Sequence, residues 1–191
     1  MLKQDLRKEF SQKRKALIEQ EVEGFSRKIH DWFFRSFPVH SYATIHTFLP
    51  IKHHKEIDTW LIINTLKKDF ATNIVIPKSH ADGTMTHYFL TEETIFEENQ
   101  WKIPEPFPSK HLESSVSEID LVLIPLLCFD KKGYRVGYGK GYYDRFLADC
   151  RADVLKIGLS IFEPVEQIKD VDTYDICLDY CITPNKIWSF L

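Results

Sequence analysis

The pattern of apolar and polar positions divides the chain into alternating helices and strands. Residues 3–17 are good helix formers without glycine or proline. Ile18, Val22, Phe25, Ile29, Trp32 and Phe33 then advance by four, three, four, three and one. That spacing lays one apolar stripe along a helix, which Pro38 ends. Residues 43–49 predict a strand, 58–70 a helix with Asp58 as its cap, and 73–76 a short buried strand. Alternation over 85–90 predicts another strand, whereas the acidic stretch 91–99 reads as a surface loop or a short helix. The proline-rich segment 103–108 reads as an extended connector. Further on, the apolar run 121–124 predicts a buried strand, 141–151 a helix, 154–160 a strand, and 175–182 a segment ending in a last strand before Thr183-Pro184.

Strands that alternate with helices predict an α/β fold with a mostly parallel sheet covered by helices on both faces. No repeat or composition break divides the 191 residues, so residues 1–191 are expected to form one three-layer domain. Ligands of such sheets bind beyond the carboxyl ends of the strands.

One stretch interrupts the ordinary pattern. Of the 7 glycines, Gly133, Gly137, Gly139 and Gly141 all lie between strand 121–124 and helix 141–151. Three of them alternate with larger residues. Glycine reaches positive φ without a Cβ clash, so the backbone there can aim successive N–H groups at one anion. A strand, a glycine loop and a helix N-terminus suit a phosphate. Neither common nucleotide motif fits: Lys140 is followed by Gly141 rather than Ser or Thr, and Tyr142 stands three positions after Gly139. A bland glycine-rich turn is the competing reading. Arg135 ahead of the loop and the Tyr142-Tyr143-Asp144-Arg145 cluster behind it favour chemistry over a turn.

Bulk properties narrow the classes. A formal net charge of -3 argues against a dedicated nucleic-acid binder. No apolar run approaches the roughly 20 residues that span a bilayer. The charged start, with Lys3, Asp5, Arg7, Lys8 and Glu9, lacks the core of a secretion signal, so a cytoplasmic location is expected. Cys128, Cys150, Cys177 and Cys181 contain no C-x-x-C pair and indicate neither zinc nor a disulfide framework.

The segment from Pro125 to Arg145, P-L-L-C-F-D-x-x-G-x-R-V-G-Y-G-K-G-Y-Y-D-R, closely resembles the signature of 5-formyltetrahydrofolate cyclo-ligases, also called methenyltetrahydrofolate synthetases. Supporting matches are Lys3-Gln4-Asp5-Leu6-Arg7, Phe48-Leu49-Pro50 with Glu56-Ile57-Asp58-Thr59, Trp101-Lys102-Ile103-Pro104-Glu105-Pro106, and Asp175-Ile176-Cys177-Leu178-Asp179. They follow the family's order along nearly the whole chain. Leu126 and Cys128 depart from it, standing where small residues are common, and 51–55 is longer than in some relatives.

The resemblance implies an enzyme that uses ATP and Mg2+ to turn 5-formyltetrahydrofolate, possible polyglutamate forms included, into 5,10-methenyltetrahydrofolate. No nucleic-acid or membrane partner and a monomeric state go with that expectation. It implies ATP contacts at Lys3, Arg7, Arg135, Val136, Gly137, Tyr138, Gly139, Lys140, Gly141, Tyr142 and Tyr143, with Arg135, Lys140 and Tyr142 in catalysis. Folate contacts are implied at Leu49, Glu56, Tyr138 and Tyr142, and metal ligation at Asp144 and Asp175.

Each of these has a plainer reading beside it. Lys3 and Arg7 share a helical face but belong to a basic run with Lys8, Lys13, Arg14 and Lys15, the last three of which gain nothing from the resemblance. Asp144 is also a first-turn acid favoured by the helix dipole. Asp172 and Asp179 rival Asp175. Tyr142 and Tyr143 serve equally as packing, Leu49 as core, Glu56 as a surface acid, and Trp101 as an aromatic wall or a structural residue. Two other function classes use the same features: a nucleotide sensor built on the glycine loop, and an RNA module built on the basic first helix.

Overall fold

A computed structural model describes residues 1–98, 104–107 and 113–191. Trp101, Lys102, Ile103 and Pro108 lie outside the described residues.

Helix α1 spans Lys3–Ala16 and α2 spans Glu19–Ser36. The break between them is fixed where Glu21 Oε2 accepts the Ile18 N–H at 2.8 Å. Helix α3, Trp60–Asp69, begins where Asp58 Oδ1 accepts the Trp60 N–H at 3.1 Å. Helix α4, Tyr142–Asp149, follows the glycine loop.

Strands β1 (Thr44–His46), β2 (Asn73–Ser79), β3 (Met85–Phe89), β6 (Leu121–Pro125), β9 (Leu155–Leu159), β10 (Tyr180–Ile182) and β11 (Ile187–Ser189) build the sheet. Their order is β11-β10-β9-β6-β1-β2-β3. Ile45 in β1 pairs in parallel with Ile74 on one side and Leu121 on the other. Only the outermost pairs, β2 with β3 and β10 with β11, are antiparallel.

The side-chain alternation of β6 shows why both faces are covered. Leu121 and Leu123 pack with Ile29 and Phe33 of α2 and Ile62, Ile63 and Leu66 of α3. Val122 and Ile124 point the other way and pack with Phe146 and Leu147 of α4. A smaller cluster seats α1 through Leu6 and Phe10 against Leu127, Cys128, Val136 and Ile168. The expected α/β architecture is therefore present. No helix of the described residues is long and apolar enough to cross a membrane.

Three local expectations need correction. The acidic stretch holds a short strand, β4 (Phe96–Glu98), and the proline connector holds its antiparallel partner β5 (Pro104–Pro106). The glycine loop does not leave the parallel strand β6 directly. A two-residue hairpin, β7 (Cys128–Phe129) and β8 (Arg135–Val136), intervenes, with Gly133 at its turn at φ 88°. Strand β11 was not anticipated.

Chain order places β2 and β3 on one side of β1, and β6, β9 and β10 on the other. The reversal of direction falls between β1 and β6, where a crevice opens beyond the strands' carboxyl ends.

Candidate active site

A cavity of about 1030 Å³ occupies that crevice. Phe48 and Leu49 just beyond β1, Pro77 and Ser79 of β2, and Pro125 of β6 form its floor. The glycine loop, the start of α4, the first turns of α1 and residues 172–176 form one side, and Ile51, Glu56 and Glu105 lie on the other walls.

The glycine loop is held open from two sides. Gly139 (φ 91°) and Gly141 (φ 69°) both occupy the left-handed region, where glycine carries no Cβ penalty. Arg7 Nε donates to the Gly137 carbonyl at 3.1 Å. Arg145 donates to the carbonyls of Lys140 at 2.7 Å and Gly83 at 2.9 Å. Carbonyls tied back in this way leave loop N–H groups for an anion. Lys140 lines the same cavity and is exposed.

Two cation–carboxylate pairs face this loop. Lys3 Nζ lies 2.7 Å and 2.5 Å from the two oxygens of Asp175 and 3.4 Å from Asp172. Burial pulls the Lys3 ammonium down, but the Asp175 and Asp172 carboxylates outweigh it and leave its pKa raised. Arg135 Nη2 donates to Asp144 Oδ1 at 2.7 Å, and its Nη1 donates to the Ile176 carbonyl. Burial lowers the Arg135 pKa against the pull of Asp144 and Asp175. The Ile176 N–H reaches the same Asp144 oxygen at 3.3 Å, so this pair ties α4 to the segment that carries Asp175.

These carboxylates suit a hard divalent cation. Mg2+ takes one or two protein carboxylates and completes its octahedron with phosphate oxygens and water. Among the described residues no group of three His, Cys, Asp or Glu side chains could hold a metal unaided. Asp144 and Asp175 line one cavity opposite a phosphate-type loop, which is the sparse donor set such a shared ion uses. The rival acids separate on geometry. Asp179 pairs with Lys156 Nζ at 2.9 Å and does not line the cavity. Asp172 does line it, but its side chain is 58 % exposed against 15 % for Asp175.

The opposite wall is less cationic. Glu56, 6 % exposed, accepts the Ile51 N–H at 2.8 Å and the Tyr138 hydroxyl at 2.5 Å. Burial raises its pKa, while Tyr138, the Ile51 N–H and Arg14 pull it back. Leu49 is buried beside it on the cavity wall. Tyr142 lines the cavity with its hydroxyl anchored on the His80 carbonyl at 2.7 Å. Tyr143 also lines it; its hydroxyl is buried and unpartnered among the described residues, and burial pushes its pKa up.

Nearly every residue singled out from sequence thus borders one cavity. Val136 differs: its side chain is 1 % exposed and packs in the α1 cluster, away from the cavity lining. Glu56 is enclosed rather than a surface acid. The largest omission is Arg14, grouped from sequence with Lys13 and Lys15 as a solvated cation. It is 5 % exposed and bonds to the Tyr138 hydroxyl. The missed signal was Leu6, Phe10 and Arg14 at four-residue steps, the buried stripe of α1. Arg14 is thereby withdrawn from the basic run that the RNA reading used, and Lys13 pairs with Glu9 at 2.6 Å. Glu105 was quoted only as part of a motif, yet it lines the cavity and accepts the Ser79 N–H at 3.1 Å.

Sequence and structure comparisons agree on kinship. The sequence model of the 5-formyltetrahydrofolate cyclo-ligase family matches residues 1–184. The 5-formyltetrahydrofolate cyclo-ligase of Mycoplasma pneumoniae is 33% identical over 189 residues, covering 95% of this chain and 98% of its own. A probable 5-formyltetrahydrofolate cyclo-ligase of Schizosaccharomyces pombe is 31% identical over 146 residues, 70% of this chain and 71% of its own. The solution structure of Aquifex aeolicus 5,10-methenyltetrahydrofolate synthetase superposes with a TM-score of 0.80 at 26% identity, covering 100% of this chain and 93% of that one. A 5,10-methenyltetrahydrofolate synthetase structure from Mycoplasma pneumoniae gives 0.71 at 29% identity, with 95% and 98% covered. The fold and a match over residues 1–184 lead to one conclusion: the chain belongs to the 5-formyltetrahydrofolate cyclo-ligase family.

Proposed function

We propose that this protein couples ATP cleavage to the ring closure of 5-formyltetrahydrofolate, releasing 5,10-methenyltetrahydrofolate, ADP and phosphate. The observation that carries this reading is the convergence of Lys3–Asp175 and Arg135–Asp144 on the glycine loop within one cavity.

A formamide carbonyl is a weak electrophile, and its oxygen is a poor leaving group. Transfer of the γ-phosphoryl group to that oxygen, with ADP leaving, creates an iminium-like carbon that bears a phosphate ester. The neighbouring anilino nitrogen attacks this carbon and releases its proton to solvent, the C–O bond breaks, and phosphate departs with the oxygen. Attack is intramolecular, so the protein's main task is to hold the two nitrogens in register. Phosphoryl transfer likewise needs positioning and charge neutralisation rather than a protein nucleophile.

The residues divide accordingly. Loop N–H groups from 137–141 and the cations Lys3, Arg7 and Lys140 bind the phosphates, and Arg135 neutralises charge on the group in flight. Tyr138 and Tyr142 stand between the nucleotide and folate halves. Glu56 accepts hydrogen bonds from the pterin N–H groups, and Leu49 packs against its ring. Asp144 and Asp175 would hold Mg2+, which would supply neutralisation of the phosphate oxygens. Asp175 and Asp144 neutralise Lys3 and Arg135, so phosphates held by these cations and a cation held by these carboxylates would each take the place of an existing charge partner.

The test mixes the protein with Mg-ATP and 5-formyltetrahydrofolate and follows ADP together with the near-ultraviolet absorbance of the methenyl product. One ADP should appear for each product. Product without ATP loss, or ATP loss that ignores folate, would overturn the coupling.

A further inference from the structure

Arg14 is a buried cation that the reaction scheme leaves unused. It sits at the far end of α1 from Lys3 and Arg7. Its Nη1 donates to the Tyr138 hydroxyl at 2.9 Å and lies 3.8 Å from Glu56 Oε1. The Tyr138 hydroxyl in turn donates to that same oxygen at 2.5 Å. Nη2 is anchored on the Leu126 carbonyl, just beyond β6. Arginine's planar fork spans such partners in a fixed geometry that lysine cannot copy.

Burying a guanidinium is costly, and an apolar residue would continue the stripe of Leu6 and Phe10 without that cost. A cation is favoured there because Glu56 is buried opposite, at 4 % side-chain exposure. A lone buried carboxylate takes up a proton instead of remaining ionised. The groups around Glu56 come from every neighbouring element: Arg14 from α1, Tyr138 from the glycine loop, His53 and His54 from the helical turn Lys52–His54, and Tyr143 from α4. Of these, Arg14 is the permanent cation, and burial pushes the His54 imidazole toward its neutral form.

We propose that Arg14 is a positioning residue for the folate half of the site, fixing Tyr138 and Glu56 in one arrangement so that helix α1 organises both halves of the cavity. Lys3 and Arg7 face the phosphate loop from its first turns, and Arg14 governs the pterin-side acceptor from its last. This deepens the proposed reaction and rests on Glu56 as the folate acceptor.

The test compares wild type with Arg14→Met, which keeps an unbranched apolar stem and loses charge, and Arg14→Lys, which keeps charge and loses the fork. First, the Glu56 carboxyl is titrated by NMR with 13C-labelled glutamate, its signal assigned through Glu56→Gln. In Arg14→Met its midpoint should move up by about one pH unit or more. Second, binding of 5-formyltetrahydrofolate should weaken below the new midpoint, about tenfold for each pH unit beneath it. It should recover as the pH rises through the new midpoint, while ATP binding changes less. Arg14→Lys should restore the titration but not the full affinity. An unmoved Glu56 midpoint, or a binding loss that no pH restores, would reduce Arg14 to packing. If Arg14→Met does not fold, the lysine variant decides through its affinity, and unchanged folate binding there would overturn the proposal. Wild-type protein that binds no folate would refute the proposed function, while the carboxyl titration would still decide the Arg14–Glu56 relationship.

Discussion

Lys3 Nζ meets the Asp175 carboxylate at 2.5 Å across 172 residues of sequence. The pair joins the first turn of α1 to the segment that leads into β10. It is reinforced where Asp170 accepts the Lys3 N–H at 2.7 Å and the Met1 carbonyl accepts the Lys169 N–H at 3.0 Å. Helix α1 thus closes the cavity as a strap pinned by its cations as well as by Leu6 and Phe10.

Loss of either first-turn cation should therefore weaken ATP use. Lys3→Ala and Arg7→Ala each remove a charged contact worth roughly 1.5–3 kcal/mol, about a 10- to 150-fold rise in the KM for ATP. Lys3→Ala should also lower the melting temperature, because it leaves Asp175 enclosed without its cation. Lys13→Ala is the control, since Lys13 is exposed and engages Glu9 and the Phe10 ring, both on its own helix. Steady-state kinetics on the three variants decide the matter, and equal effects would signal general surface charge.

Asp144→Asn should act on two observables at once. It removes the charge partner of Arg135, whose side chain is 5 % exposed. With Asp144 itself partly solvated, that should cost about 1–3 kcal/mol, more than the 0.3–1 kcal/mol of a helix-dipole acid. Turnover should fall on the order of 100-fold or more, with a higher Mg2+ requirement. Denaturation without Mg2+ measures the first effect, and a Mg2+ titration of activity measures the second. Asp175→Asn should show the same metal dependence. Wild-type activity at low Mg2+ in Asp144→Asn would leave it only the structural role.

Helix α2 and the parallel strands were legible because each buries a continuous stripe or run that matches its own period. The hairpin β7–β8 was not, because two-residue strands contain no period to read. Nor were β4 and β5, since proline and acidic residues on a short antiparallel pair resemble a loop. The site was legible where backbone chemistry demanded glycine, and Gly139 and Gly141 do take positive φ. Arg14 was hidden by its neighbours. Adjacent helical residues point about 100° apart, so a basic run places one member inside and two outside. Glu56 was misjudged because its burial depends on Arg14 and Tyr138, which approach from 42 and 82 positions away and carry no local signal.

A second buried pair should make stability depend on pH. His46 is fully buried with neither ring nitrogen partnered, and His87, 5 % exposed, has its Nδ1 unpartnered among the described residues. Their rings lie 5.1 Å apart. Burial pushes His46 well below 6.5, helped by His87, and pushes His87 down to about 4. Between 6.5 and about 4 the unfolded chain binds protons that the folded chain refuses. Stability is therefore complete above pH 6.5 and declines below it, by about 2 kcal/mol at pH 5 from His87 alone. Urea unfolding at pH 7.5 and pH 5 should show a smaller loss for His87→Phe than for wild type. Identical losses would place the acid sensitivity elsewhere.

The loop offers a test of backbone conformation separated from charge. At Gly139, φ is 91° and an added Cβ would stand 3.1 Å from Arg7 Nε. At Gly137, two positions earlier, φ is not in the left-handed region and a Cβ would meet nothing within 4 Å. Gly139→Ala must either hold a left-handed residue at a cost of about 1–2 kcal/mol or reshape the loop. If the loop holds its shape, the new methyl presses on the Arg7 guanidinium, which must shift against its bond to the Gly137 carbonyl. Gly137→Ala should leave stability nearly unchanged, since neither conformation nor space opposes it. Denaturant melts of the two variants read the backbone cost. The kinetic consequence follows from Arg7: Gly139→Ala should raise the KM for ATP, and adding Arg7→Ala to it should raise that KM by less than Arg7→Ala does in the wild-type loop. Fully additive effects would show that the loop and Arg7 meet the nucleotide independently, and that the 3.1 Å hydrogen bond between Arg7 and Gly137 does not transmit the loop's shape to the cation.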